Sequence, residues 1–203
     1  MGYTGLATFT ATLPLAKRSI TLMLAALLLI ATGCDSSGME DDGDNNLPPQ
    51  VEIARVEITL QEIQVISDCD GGTNPGDWQF QIAFVDEGNS SLADPIDLPQ
   101  GAAFGVHTGQ ATELLTASDN NKINLGQTVS FQRPREEGSG FGLLFSGYEW
   151  DAVDTPDPDM TNRSVTRMHN YQDGRFDNII GTNEMTLGGG RCEALLRYTV
   201  TVQ

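Results

Sequence analysis

The chain has 203 residues, too few for a large multidomain enzyme. It carries 28 Asp and Glu against 11 Lys and Arg, a net charge of −17, which excludes nucleic acid as a partner because a phosphate backbone needs a basic footprint. Hydrophobic residues at 39%, aromatics at 7%, 22 glycines and 9 prolines allow a core but predict a turn-rich chain without long helices.

In chain order, residues 1–33 hold no acidic residue, and their only charges, Lys17 and Arg18, precede the apolar run Ile20–Ile30. A basic segment before about eleven apolar residues predicts an export signal, because a spanning helix needs about 20. The run ends Ala31-Thr32-Gly33-Cys34, with alanine where leucine is usual, and resembles the lipobox of bacterial lipoproteins. The resemblance implies that residues 1–33 are a lipoprotein signal peptide and that Cys34 is acylated and becomes the mature N-terminus. It also implies a place in the bacterial cell envelope, on the periplasmic or surface side, with the membrane as partner through the lipid. Two or more acyl chains suffice for stable anchoring. The mature part would keep nine basic residues against 28 acidic ones, a net of −19. After Cys34, residues 35–50 are polar, small and acidic with one Leu and one Met, so 34–50 reads as the lipidated cysteine and a disordered tether.

From Val51 to Gln203, short alternating runs separated by Gly, Pro, Asn and Asp predict one all-β domain, an antiparallel β-sandwich. Val56, Ile58 and Leu60 share one parity and Ile63 and Val65 the other, so a bulge is expected near Gln61-Glu62. Further strands are expected at Trp78–Val85, Ala103–Thr108, Lys122–Phe131 and Phe141–Tyr148. The last strand is the clearest, with Cys192, Ala194, Leu196, Tyr198, Val200 and Val202 on one side. With Cys34 assigned to lipid, Cys69 and Cys192 remain, both on core-facing parity, and an oxidising compartment favours a bridge between them over two free buried thiols.

Two stretches gather carboxylates. Asp68 to Asp77 precedes the strand at Trp78, and Glu149 to Asp159 follows the strand ending at Tyr148. Such oxygen-rich loops suit a hard divalent cation, Ca2+ before transition metals. The stretch Val56–Leu60 through Asp70-Gly71 to Asp77-Trp78-Gln79-Phe80, together with Glu149, Asp151, Asp154 and Asp157 at the spacing of an acidic third loop, resembles the calcium-binding C2 domain. That resemblance implies a C2-like or related jelly-roll-like topology. It also implies a Ca2+ site from Asp70, Asp77, Glu149, Asp151, Asp154 and Asp157, with Asp68 and Asp159 at its margin. In a simple C2 topology the final strand starts at the far end from these loops. A Cys69–Cys192 bridge therefore calls for an extra crossing between Asp159 and Arg191, or for another sandwich topology.

The Asp68 stretch lacks the flanking helices and twelfth-position Glu of an EF-hand. His107 and His169 have no partner at metal-ligand spacing, and Gly138–Gly142 lacks the context of a nucleotide loop. No nucleophile motif is present, so the chain reads as a binding module and not an enzyme, with an acidic hydrolytic pair ranked last. The expected function is an anchored lipoprotein whose sandwich binds Ca2+ through the two acidic loops, either to rigidify them or to bridge to an extracellular protein or glycan. The alternatives are a jelly-roll lectin stacking sugars on Trp78, Trp150 and Tyr148, or an interaction lipoprotein whose acidic loops are only solvated turns.

Overall fold

The computed structural model describes residues 50–69, 75–151, 155–156, 163–177 and 179–203, with positions 111, 151, 155 and 156 described by backbone alone. These residues belong to the unit Leu47–Gln203. The expected signal peptide, Cys34 and the tether up to residue 49 lie outside them.

The fold is an all-β, antiparallel sandwich. Its strands are β1 (Ile53–Asp68), β2 (Gly76–Val85), β3 (Ser91–Leu98), β4 (Leu115–Ala117), β5 (Lys122–Pro134) and β6 (Gly140–Asp151). They continue with β7 (Thr155–Pro156), β8 (Arg163–Gln172), β9 (Arg175–Phe176), β10 (Thr182–Gly189) and β11 (Cys192–Val202). One sheet has the order β10-β11-β1-β5, and the other β3-β2-β6-β8-β9 with β4 on β2 and β7 on β6.

Alternation explains the two central strands of the first sheet. Along β1, Ala54, Val56, Ile58 and Leu60 face the core fully buried, and so do Ile63 and Val65 after the expected phase slip. The slip is a break in register between Leu60 and Glu62 against both neighbours. On the β5 side Gly126 takes φ +61°, a left-handed conformation that glycine adopts without strain. Along β11, Cys192, Ala194, Leu196 and Tyr198 are fully buried. Each large apolar side chain so placed contributes about 1.5 to 3 kcal/mol over leaving it exposed.

Not every expectation holds. Ala103–Thr108 is not a strand but part of a loop packed on the second sheet. Its backbone groups bond the buried amide of Gln79 instead of a strand: Gly105 N–H donates to Gln79 Oε1 at 2.9 Å, and Gln79 Nε2 donates to the carbonyls of Val106 at 2.8 Å and Glu113 at 3.1 Å. Gly101, Gly105 and Gly109, all at positive φ, break the extended path.

Cys69 and Cys192 are bridged, with Cα atoms 4.3 Å apart. Asp68 and Cys192 are register partners, so β11 starts where β1 ends. The extra crossing this demands is present: β8 runs away from that end in the second sheet, and β10 returns towards it in the first. The sandwich therefore has an acidic end, reached by Asp68, Gly76, Asp119 and Asp151, and an opposite end where Glu52, the 86–90 and 135–139 hairpins and Gln203 gather.

Candidate functional site

Pairing of β2 with β6 brings Asp77 of the first acidic stretch beside Glu149 and Trp150 of the second. Asp77 stands opposite Trp150 and Trp78 opposite Glu149. Directly opposed residues share a face, so Glu149 lies with Trp78 on the core side, where both are fully buried. Its Oε1 accepts the Asp77 N–H at 3.2 Å. Asp77, one residue along, points to the outer face, where its Oδ1 accepts the Thr116 hydroxyl at 2.9 Å. Gly76 makes this close approach fit: a Cβ there would stand 2.5 Å from the Asp68 carbonyl oxygen and 3.2 Å from Glu149 Oε1.

A third loop joins them. Asp68 is buried, and its N–H donates to Asp119 Oδ1 at 2.8 Å. Burial pushes the Asp68 carboxyl above its usual range, and the charge of Asp119 and a hydrogen bond between the two side chains push the same way. Asp119 is the site residue that sequence reasoning missed. Its only signal is the polar turn Ser118-Asp119-Asn120-Asn121 before a strand, and nothing in it points to Asp68.

Of the six expected cation ligands, Asp77 and Glu149 are described with side chains and Asp151 by backbone, as the last residue of β6. Asp70, Asp154 and Asp157, like the marginal Asp159, lie outside the described residues. Among the described residues no three His, Cys, Asp or Glu side chains group as a metal site.

Of the three aromatics of the lectin alternative, Trp78 faces the core, while Tyr148 and Trp150 stack at 5.7 Å on the other face of the sheet. Trp78 and Trp150 are buried, and Tyr148 packs beneath the 99–114 loop against Phe104 at 5.1 Å. His107 is fixed by structure, its Nδ1 3.1 Å from Glu113 Oε2 and its ring 5.5 Å from that of Trp150. The N–H of Thr108, then its hydroxyl, hold the Glu113 carboxyl below its usual range.

His169 is wholly buried and stacked on Phe141 at 4.9 Å. Its Nδ1 faces the Asp177 carbonyl at 3.0 Å, so Nδ1 carries the proton and donates, and Nε2 accepts the Tyr198 hydroxyl at 3.0 Å. Burial lowers the imidazole pKa below 6.5 and raises the Tyr198 phenol to about 12. The unfolded chain takes up a proton near 6.5 that the native ring refuses, so this contribution to stability is full above pH 6.5 and lost as pH falls below it. Urea unfolding of the wild type and His169→Gln should show their stability gap narrowing between pH 7.5 and 5.5, by at most about 1.4 kcal/mol per pH unit. A constant gap would contradict the buried neutral ring.

No protein-family model matches the chain, and no curated protein matches it in sequence. Among solved structures, human GIVD cytosolic phospholipase A2 in complex with methyl gamma-linolenyl fluorophosphonate is similar over 74% of this chain and 17% of its own, at 9% identity and TM-score 0.37. The same phospholipase with that inhibitor and terbium chloride gives 75%, 18%, 8% and 0.38. A C2 domain protein from Ramazzottius varieornatus is similar over 74% of this chain and 89% of its own, at 12% identity and TM-score 0.32. This chain thus spans under a fifth of the phospholipase chains. At such scores the likeness carries nothing about ligands, and the sandwich rests on its own sheet pairing.

Proposed function

We propose that this chain is an exported lipoprotein, held to a bacterial membrane through Cys34, whose β-sandwich binds Ca2+ at its acidic end in the manner of a C2 domain. The observation that carries the reading is the crowding of carboxylates there. Burial first, and then the neighbouring Asp119, raise the Asp68 carboxyl above its usual range, and β2–β6 pairing sets Asp77 opposite Trp150, next in sequence to Glu149 and Asp151. The donors are all oxygen, which suits a hard cation, and a cation would relieve repulsion that a proton otherwise relieves. Asp70, Asp77, Asp151, Asp154 and Asp157 would hold it, without Glu149, which register turns to the core face behind Asp77. The bound ion would order the loops for a protein or glycan ligand.

Thermal unfolding in millimolar CaCl2 against EDTA, at matched ionic strength, tests this. Calcium at a hundredfold excess over Kd should add about 2.7 kcal/mol. Asp151→Asn with Asp157→Asn should remove most of that gain without weakening the calcium-free fold. An unchanged melting temperature and no calorimetric heat would leave acidic turns only.

A further inference from the structure

The end of the sandwich opposite the acidic loops has a different chemistry. Of the large hydrophobic residues exposed among the described residues, Val51, Ile53 and Ile180 lie at or beside this end, with Ile180 91% exposed. Beside them a recess of about 480 Å³, floored by Phe176 and Ile179 and rimmed by Arg175 and Ile180, runs into a smaller one that reaches Arg135 and Val202. Cations here are mostly matched, as in Arg55–Glu57, Arg133–Glu87 and Arg135–Glu52, while Arg175 has no ion pair among the described residues. Glu136, Glu137, Asp173 and Asp177 also lie at this end, and Asp177 lines the larger recess together with Arg175.

The chain enters the domain here. Arg135 N–H donates to the Glu52 carbonyl at 2.7 Å and its guanidinium pairs with the Glu52 carboxylate at 3.2 Å, so everything before residue 50 connects at this end. Sixteen residues separate Cys34 from Val51 and reach roughly 55 Å when fully extended. A lipid on Cys34 would therefore hold this end close to a bilayer, at a raised effective concentration that lets a small apolar contact count.

We infer that this end of the sandwich rests on the phospholipid bilayer, with Val51, Ile53 and Ile180 in the interfacial layer and Arg175 against headgroup phosphate, so that the acidic end points away from the membrane. Aliphatic side chains beside a guanidinium suit that layer, and Arg binds phosphate through a planar fork. Zwitterionic lipid is the partner, because the mature net charge of −19 opposes an anionic surface. The inference rests on the lipoprotein reading for the nearness of the bilayer.

The test uses the full chain, taken from whichever cell fraction holds it and placed with phosphatidylcholine vesicles that carry brominated acyl chains. Both native tryptophans are buried, so a tryptophan introduced at the surface reports its own surroundings. Ile180→Trp should be quenched at least twofold more than Ser118→Trp at the acidic end, and adding Ile53→Glu to Ile180→Trp should abolish the excess without changing the circular-dichroism melt. Equal quenching at the two positions would overturn the inference. So would an introduced indole at position 180 that is already shielded from iodide in vesicle-free protein, which would assign the recess to the tether or to a second copy. Fractionation of Cys34→Ala decides the anchor separately: retention in the membrane fraction would sink the lipoprotein reading, whatever the quenching at position 180.

Discussion

Replacing Cys69 and Cys192 together by alanine is expected to destabilise the domain by about 4 to 5 kcal/mol. The bridge joins residues 123 apart, and in the chain-entropy account the stabilisation grows with the logarithm of the closed loop. Both cysteines are core residues at the junction of β1 and β11, where Cys69 N–H also donates to the Arg191 carbonyl at 2.9 Å. Two buried sulfurs lost to alanine add a small packing cost in the same direction. Guanidinium unfolding of the wild type with and without reductant should reproduce the variant's loss. A loss below about 1 kcal/mol would mean that the unfolded chain is already constrained by other means. The functional consequence is local, since the bridge fixes the first residue of the loop that leads to Asp77.

What the sequence disclosed follows from where its pattern is made. β1 and β11 lie in the middle of their sheet, with one face on the core and one in solvent, so their period of two is nearly complete. The bulge at Gln61 was legible because a slip in register must move every later side chain to the other face. β10 hides its alternation, since buried Asn183 takes a core position ahead of Met185 and Leu187. β3 is an edge strand that tolerates Pro95, and the proline conceals it. Ala103–Thr108 read as a strand because its composition is apolar, yet a single buried amide, Gln79, supplies the partners a strand would have needed. At the acidic end the nearness of Asp77 to Glu149 was expected from composition, but both stand in strands, β2 and β6, where a loop was expected for Glu149. The Asp68–Asp119 contact was not, because only β1–β5 pairing joins residues 51 apart. Nor does composition reveal that Asp77 and Glu149 take opposite faces of one sheet, which is decided by register.

Trp78→Ala is expected to cost about 3 to 5 kcal/mol, the range for removing a large buried aromatic. Trp78 is fully buried directly behind the acidic end, stacked on Phe80 at 5.3 Å, and Phe80 in turn stacks on Phe145 at 5.6 Å. Alanine there would open a cavity between the sheets beside Glu149, and the rigid strands β2 and β6 could close it only in part. Trp78→Phe should cost less, because it keeps the stack and removes an indole N–H that has no hydrogen-bond partner among the described residues, a burial that costs about 1 to 3 kcal/mol. The pair of variants separates two roles for the residue. A sugar platform would lose glycan binding on either substitution with stability barely changed, whereas a core residue gives a large loss for alanine and a small one for phenylalanine. Chemical denaturation of both, read by far-ultraviolet circular dichroism, decides it. A Trp78→Ala protein as stable as the wild type would mean that the indole is not packed between the sheets, and the buried setting of Glu149 would fall with it.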